Sequence, residues 1–168
     1  LGTVVLDALP PVSEVLGFSN RWYLRAIETA VDCVLPDTVH QPTVIRLITA
    51  PCFLATKLEA FGGRGDGDYE GSHDLEDIIA LIDGRPTLLR EVEHESAELR
   101  QYISDQISLH LQRGLSHAVP GHLAGDAASQ ARVPRVHCVL DRLRRRPRLM
   151  RLGQAVEFDH KVPQVGQI

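Results

Sequence analysis

The sequence predicts an α+β fold, in which a short mixed β-sheet lies at the N-terminal end and is followed by a helical C-terminal half. The hydrophobic pattern supports this order, because its period changes from about two to about 3.6 residues after Thr49. The 168 residues are 43% hydrophobic and 24% charged, a composition typical of globular proteins with a buried core. We divide the chain into a sheet region at 1–50, a helical region at 51–146 and a loosely ordered tail at 147–168.

The first predicted strand, at residues 3–9, is a short apolar run that ends at Pro10-Pro11. Its apolar residues occupy both faces, which is typical of a central strand covered on both sides. A domain that opens on such a strand is expected to continue upstream. Asp7 is the exception, since an ionised carboxylate in a dry strand is costly unless it meets a cation. We expect Asp7 either at a solvated sheet edge or as a metal ligand at the strand's carboxyl end.

The remaining elements follow in order along the chain. A helix is predicted at 22–30 with Tyr23 and Ile27 on its buried face, and a hairpin of two strands at 31–35 and 43–49. Helices are then predicted at 51–61, 73–82, 86–93, 97–112 and 127–146, with a loop at 117–126.

The helix at 51–61 contains Lys57 on its apolar face, formed by Leu54, Leu58 and Phe61. A solvated lysine normally lies on the opposite face, so the position of Lys57 is unusual. Gly62-Gly63 is predicted to end this helix.

The helix at 73–82 has Ser72 as its predicted N-cap. Asp74 and Asp77 lie three residues apart and share a face beside the buried stripe. The stripe itself consists of Leu75, Ile78, Ile79 and Ile82.

The charges are unevenly distributed, although the net charge is only −4. Lysine occurs only at Lys57 and Lys161, and the stretch 132–151 contains eight arginines against the single acid Asp141. This stretch could contact phosphates of RNA, or it could be a solvated basic face that balances an acidic body.

The cysteines and the apolar pattern of the sequence also indicate the cellular compartment. Cys33, Cys52 and Cys138 are far apart and form no C-x-x-C pair, which argues against a zinc knuckle or a disulfide framework. No apolar stretch approaches the ~18 residues of a membrane span, and no signal peptide is evident. The sequence therefore predicts a cytoplasmic protein that does not contact a membrane.

Three chemistries fit the polar residues between 57 and 77. An EF-hand-like calcium loop at 66–77 has carboxylates at Asp66 and Asp68, glycine at its sixth place and Asp77 at its twelfth. A metal phosphohydrolase of the HD type is suggested by His73-Asp74 with His40 upstream.

The third chemistry is nucleotidyl transfer, in which a lysine neutralises the phosphates of a nucleoside triphosphate near a metal-binding aspartate. Lys57 suits this role, because its apolar surroundings orient it toward phosphates or toward Asp77. The alternative is that Lys57 extends to the rim of the core and pairs there with an acidic neighbour.

Several segments resemble those of a known family, most clearly the two that follow. The run A-P-C-F-L-A-T-K-L-E-A-F at 50–61, Arg64, and S-H-D-L-E-D-I-I at 72–79 resemble the AbiEii/AbiGii-type nucleotidyltransferase toxins, a branch of the polymerase-β-like superfamily. The similarity covers about residues 3–145. It implies that the sheet region is the remnant of a nucleotidyltransferase sheet.

The resemblance also assigns roles to individual residues. It implies that Asp7, Lys57 and Asp77 are catalytic, with Asp7 as a magnesium ligand. It implies substrate contacts from Lys57, with Arg64 and Asp74 in support. The expected substrates are a nucleoside triphosphate and an RNA acceptor such as tRNA, and the expected partner is a protein antitoxin.

One departure from the family is large. Its members have a glycine-rich helix start that grips the triphosphate and a strand-borne D-x-D pair that binds two metal ions. The D-G-D at 66–68 lies in a glycine loop and cannot replace that pair. We therefore expect the chain to be a C-terminal portion of such an enzyme, weak or inactive alone. The alternative is a non-catalytic module that binds an antitoxin or RNA.

Overall fold

The structure is a computed structural model that describes residues 20–35, 43–64 and 67–145. In chain order, the elements are α1 (Tyr23–Glu28), β1 (Val31–Leu35), β2 (Thr43–Leu47), α2 (Ala50–Arg64), α3 (His73–Gly84), α4 (Leu88–Glu93), α5 (Ala97–Gln112), α6 (Leu115–Ala118), a 3-10 helix (Val119–His122), α7 (Ala127–Gln130) and α8 (Val133–Leu143). The predicted α+β order, with a sheet on the N-terminal side and mostly helices after it, is confirmed. The predicted strand at 3–9, with Asp7, and the predicted tail at 147–168 lie outside the described residues.

The described sheet is an antiparallel hairpin of β1 and β2. Its register pairs Val31 with Leu47 and Cys33 with Ile45, so apolar side chains lie opposite each other on one face. Most of these residues are exposed, and Val34 and Val44 on the other face are 59% and 58% exposed. The hairpin therefore contributes few side chains to the hydrophobic core of the helical body.

The helical body is built around α2, which packs against both α3 and α5, while α8 packs against α3 and α5 from a second side. Three apolar stripes at helical spacing meet there, and their burial is the main stabilising contribution. The fully buried large side chains include Leu54, Leu58, Leu75, Ile78, Ile79, Ile82, Leu99, Ile103, Ile107 and Leu140. The buried stripe predicted for 73–82 is confirmed.

The buried face of α1 differs from the prediction. Ile27 is 59% exposed, and the buried residues are Trp22 and Ala26. The indole of Trp22 packs against the ring of Tyr102 in α5 in a tilted arrangement, with the ring centroids 5.0 Å apart. An indole buries more apolar area than an isoleucine side chain, so burial of Trp22 is favoured. With Trp22 and Ala26 facing the core, Ile27 lies on the solvent side of α1.

The end of α2 also differs from the prediction. The helix continues through Gly62 and Gly63 to Arg64. Neither glycine has a positive φ, whereas Gly67, which follows, has φ 74°. Gly67, three residues after the end of α2, therefore adopts the left-handed conformation that favours glycine.

The region after α5 contains more helix than predicted at 117–126 and less at 127–146. Residues 115–122 form α6 and the 3-10 helix, so most of the predicted loop is helical. The predicted long helix is divided into α7, capped by Asp126 Oδ1 accepting from Ser129 N at 2.9 Å, and α8. Pro134 explains the division, because proline lacks an N–H donor and is favoured in the first turn of a helix.

Across the described ranges, none of the helices has the length and apolar character required to cross a lipid bilayer.

Candidate functional site

Lys57 leaves α2 from its buried side and reaches the rim of the core. Its neighbours Leu54 and Leu58 are buried, which fixes the start of the side chain, and 25% of the side chain is exposed. The ammonium lies 5.7 Å from the ring centroid of Phe53, within the range of a cation–π contact. The aliphatic stem thus packs in the core while the charge stays near the surface.

Asp74 and Asp77 meet this ammonium from the first turns of α3. Ser72 caps α3 by accepting from Leu75 N at 3.4 Å, and its position places Asp74 in the first turn. Carboxylates are favourable there, because the helix dipole leaves partial positive charge at its N-terminus. Lys57 Nζ lies 3.1 Å from Asp74 Oδ1 and 2.5 Å from Asp77 Oδ2.

The three charges determine the electrostatics of the site. Partial burial disfavours the charged form of Lys57, but hydrogen bonds to Asp77 and Asp74 outweigh this effect, so the pKa of Lys57 is raised above its ordinary value. Lys57 is therefore a fixed cation at neutral pH. With both carboxylates ionised, the cluster carries a net charge of about −1.

Two of the other residues expected at the site lie wholly or partly outside the residues that the structure describes. Asp7 lies outside the described residues, and Arg64 ends α2 with a side chain that is outside them as well. The structure thus brings together Lys57, Asp74 and Asp77. Glu59, also part of the polar cluster in the sequence, faces away from them and accepts a hydrogen bond from Tyr102 Oη at 2.5 Å.

Magnesium does not fit the donors that the structure describes. Within residues 20–35, 43–64 and 67–145, no group of three or more His, Cys, Asp or Glu side chains could hold a metal ion. Asp74 and Asp77 both contact Lys57, whose charge opposes a cation beside them. The magnesium implied by the resemblance therefore rests on Asp7 alone.

The calcium-loop alternative receives little support from the part of the loop that is described. Asp68 Oδ1 accepts hydrogen bonds from Glu70 N at 3.1 Å and Gly71 N at 2.8 Å, so this carboxylate closes a local turn. Asp77 faces Lys57, and Asp66 lies outside the described residues.

The HD-type alternative requires His73 and Asp74 to act together. The side chain of His73 is 94% exposed and pairs with Glu76, while the Asp74 side chain is 9% exposed and faces Lys57. The two neighbours therefore point to different surroundings. His40, the third residue of this hypothesis, lies outside the described residues.

Four described arginines of the basic stretch contact acidic side chains. Arg132 and Arg135 both bind Asp83 of α3, and Arg144 and Arg145 both bind Asp141. The contacts with Asp83 favour the interpretation of the stretch as a surface that balances the acidic body, whereas Asp141 belongs to the stretch itself.

Sequence reasoning missed a second polar cluster, which lies beside Phe61 near the C-terminal end of α2. The phenol of Tyr69 contacts Nδ1 of His110, and His122 Nε2 donates to the carbonyl oxygen of Tyr69 at 2.7 Å. The ring of Phe61 packs against both Tyr69 and His110. The available signal was His110 itself, since it follows Ile103 and Ile107 on the buried stripe of the predicted helix at 97–112.

Comparison with protein-family models, with curated proteins and with solved structures finds no match for this chain.

Proposed function

We propose that this chain is a nucleotidyltransferase-family protein that resembles the AbiEii-type toxins, and that Lys57 contacts the phosphates of a nucleoside triphosphate. The acceptor is an RNA such as tRNA, the compartment is the cytoplasm and the partner is a protein antitoxin. One observation carries the proposal. Lys57 emerges from an apolar helix face and its ammonium is held by Asp74 and Asp77 at the rim.

Phosphate contact is reasonable for this lysine on physical grounds. An ammonium has three N–H donors, and the two aspartate contacts use two of them. A phosphate oxygen at the rim would accept from the third. Since the stem is packed and the head is held, little side-chain entropy would be lost when a ligand binds.

The activity of the chain on its own is expected to be low. The sequence contains D-x-D only at 66–68, in a glycine loop, and Asp7 is its one candidate metal carboxylate on a predicted strand. A single carboxylate holds magnesium weakly, because the ion keeps most of its water and favours several anionic ligands.

The first experiment measures binding of ATP by calorimetry to the wild-type chain and to Lys57→Gln. We expect the substitution to weaken binding by about tenfold, which corresponds to about 1.4 kcal/mol. Arg25→Gln is the matched control, since it removes another partly buried ion pair, the contact between Arg25 Nη2 and Glu95 Oε2 at 2.6 Å. Equal ATP binding by the wild type and Lys57→Gln would show that Lys57 does not contact phosphate.

The second experiment tests the low activity. Labelled nucleoside triphosphates are incubated with total tRNA, magnesium and the chain, and the labelled RNA is counted. We expect little or no labelling. Strong labelling that Asp7→Ala abolishes would show that the chain is an active enzyme with Asp7 at its centre.

A further inference from the structure

A small cavity lies where the C-terminal ends of α4 and α8 meet the first turn of α5. Its volume is about 80 Å³, and leucine and valine side chains form its apolar walls. Four charged residues complete the lining: Glu93, Arg100, Arg142 and Arg145. Three guanidinium groups therefore surround one small space, in which their charges repel each other.

Arg100 is held in place at this cavity. It belongs to the first turns of α5, and its Nη1 donates to the backbone carbonyl oxygen of Glu93 at 2.9 Å. Its Nε is buried and, in the part of the chain that the structure describes, has no hydrogen-bond partner. No acidic side chain in that part forms an ion pair with Arg100. Because a partly buried guanidinium without a counter-ion is costly, an anion at this position would be favourable.

Arg142 brings a second positive charge to the cavity. Five arginines of the basic stretch lie within the described residues, and Arg142 is the one among them that contacts no acidic side chain there. Its helix end is fixed to α5, since Ser104 Oγ donates to the carbonyl oxygen of Arg144 at 2.8 Å. The dipole of α8 favours a basic residue in its last turn, but it does not explain an arginine of α5 beside it.

The other two charged residues change this balance little. Arg145 pairs with Asp141, so its charge is largely compensated. Glu93 is exposed, and its carboxylate forms no ion pair with the described residues. Two positive charges, those of Arg100 and Arg142, are thus left at one cavity without a described carboxylate in contact.

We propose that Arg100 and Arg142 form a binding site for a single phosphate group, with Arg145 at its edge. The ligand is inorganic phosphate or the terminal phosphate of a small phosphate monoester, which present the same tetrahedral oxyanion. Guanidinium N–H donors match the spacing of phosphate oxygens and form strong charge-assisted hydrogen bonds with them. A cavity of this size accepts one phosphate group and leaves any attached ester group outside. The site shares no residue with the Lys57 cluster and does not depend on the proposed function.

The test titrates the full chain with inorganic phosphate and with glycerol phosphate by calorimetry, at constant ionic strength. We expect Arg100→Gln to weaken phosphate binding by about tenfold and Arg142→Gln, at an exposed position, by about threefold. Arg90→Gln is the matched control. Arg90 is an exposed arginine of α4 that lies outside this cavity and has no acidic partner among the described residues, so its loss should leave binding unchanged.

Two further variants separate geometry and local charge from loss of folding. Arg100→Lys keeps the positive charge but loses the planar donor fork, and we expect it to bind phosphate more weakly than the wild type. Glu93→Gln removes the one carboxylate of the lining, and we expect about threefold tighter binding. If Arg100→Gln fails to fold by circular dichroism, Arg142→Gln and Glu93→Gln decide.

The outcomes either support or overturn the site. Saturable binding of either ligand that requires Arg100 supports it, and the tighter ligand identifies the source of the phosphate group. A wild type that binds neither ligand overturns it. Equal weakening in Arg90→Gln would mean that only net charge matters, which also overturns it. Phosphate binding lost in Lys57→Gln but kept in Arg100→Gln would place the ligand at Lys57, leaving the proposed function standing and this inference wrong.

Discussion

The phenol oxygen of Tyr69 lies 3.0 Å from Nδ1 of His110, and this contact ties the loop between α2 and α3 to the last turn of α5. His110 is only 3% exposed, and within the described residues its Nε2 has no hydrogen-bond partner. Burial lowers the pKa of His110, and the positive charge of Arg113 lowers it further. The neutral imidazole is therefore part of the folded structure.

The first prediction follows from this pKa. Below the ordinary histidine pKa of about 6.5, the unfolded chain binds a proton at His110 that the folded chain excludes. We expect the free energy of unfolding to decrease as the pH falls from about 6.5 toward the lower folded pKa. In His110→Gln this part of the pH dependence should be lost, as measured by urea unfolding at a series of pH values.

His73→Gln is the control for this series, because the His73 side chain is 94% exposed. It should retain the wild-type pH dependence. A wild-type slope that persists in His110→Gln would assign the effect to other groups.

The second prediction concerns Asp83, which joins α3 to α8. Its side chain is 14% exposed and contacts Arg132 Nε at 2.9 Å and the guanidinium of Arg135. Asp83→Asn should lower the free energy of unfolding by about 1 kcal/mol, a value discounted for the half-exposed arginines. Thermal unfolding measures the change, and Asp141→Asn, at a carboxylate that is 35% exposed and pairs with arginines three and four residues away, should lower the melting temperature less. Similar losses in both variants would contradict a special role for Asp83.

The third prediction addresses RNA binding by the basic stretch. Arg144 and Arg145 share the carboxylate of Asp141, so one of their two positive charges is already balanced. We expect changing Arg144, Arg145 and Arg146 together to Gln to leave retention of total tRNA on a filter unchanged at low salt. Salt-sensitive retention that disappears in the triple variant would instead support the RNA-binding module.

The fourth prediction concerns the α2–α3 packing that positions the site. Leu58 is 1% exposed, so Leu58→Ala should cost about 3 kcal/mol through lost burial and a residual cavity. Leu24, on α1, is 72% exposed and offers a control with the same change of side chain. Denaturant unfolding should show almost no effect of Leu24→Ala. Equal effects would mean that the two positions are buried alike in solution.

Local spacing in the sequence was sufficient to predict much of this arrangement. Asp74 and Asp77 lie three residues apart after a capping serine, and that spacing alone places them on one helix face. Lys57 is marked by its apolar neighbours, and pairing with acidic side chains was one of its two predicted fates. The structure contains that pairing, while contact with phosphate stays a prediction.

Contacts between distant parts of the chain could not be predicted in this way. The choice of Trp22 over Ile27 as the buried residue depends on Tyr102, which lies in another helix. Likewise, Tyr69 reaches His110 only because α2 and α5 pack together. No periodic pattern within either segment contains that information, so these relationships required the three-dimensional structure.

The hairpin described above has a practical consequence for handling the protein. Val31, Val34, Leu35, Val44 and Leu47 are all more than 40% exposed, and in the described part of the chain each strand pairs only with the other. Unpaired strand edges beside apolar side chains promote self-association at high concentration. Lysine in place of Val34 and Val44, which face each other across the strands, would put repulsive charge on that surface and improve colloidal behaviour without touching the helical core.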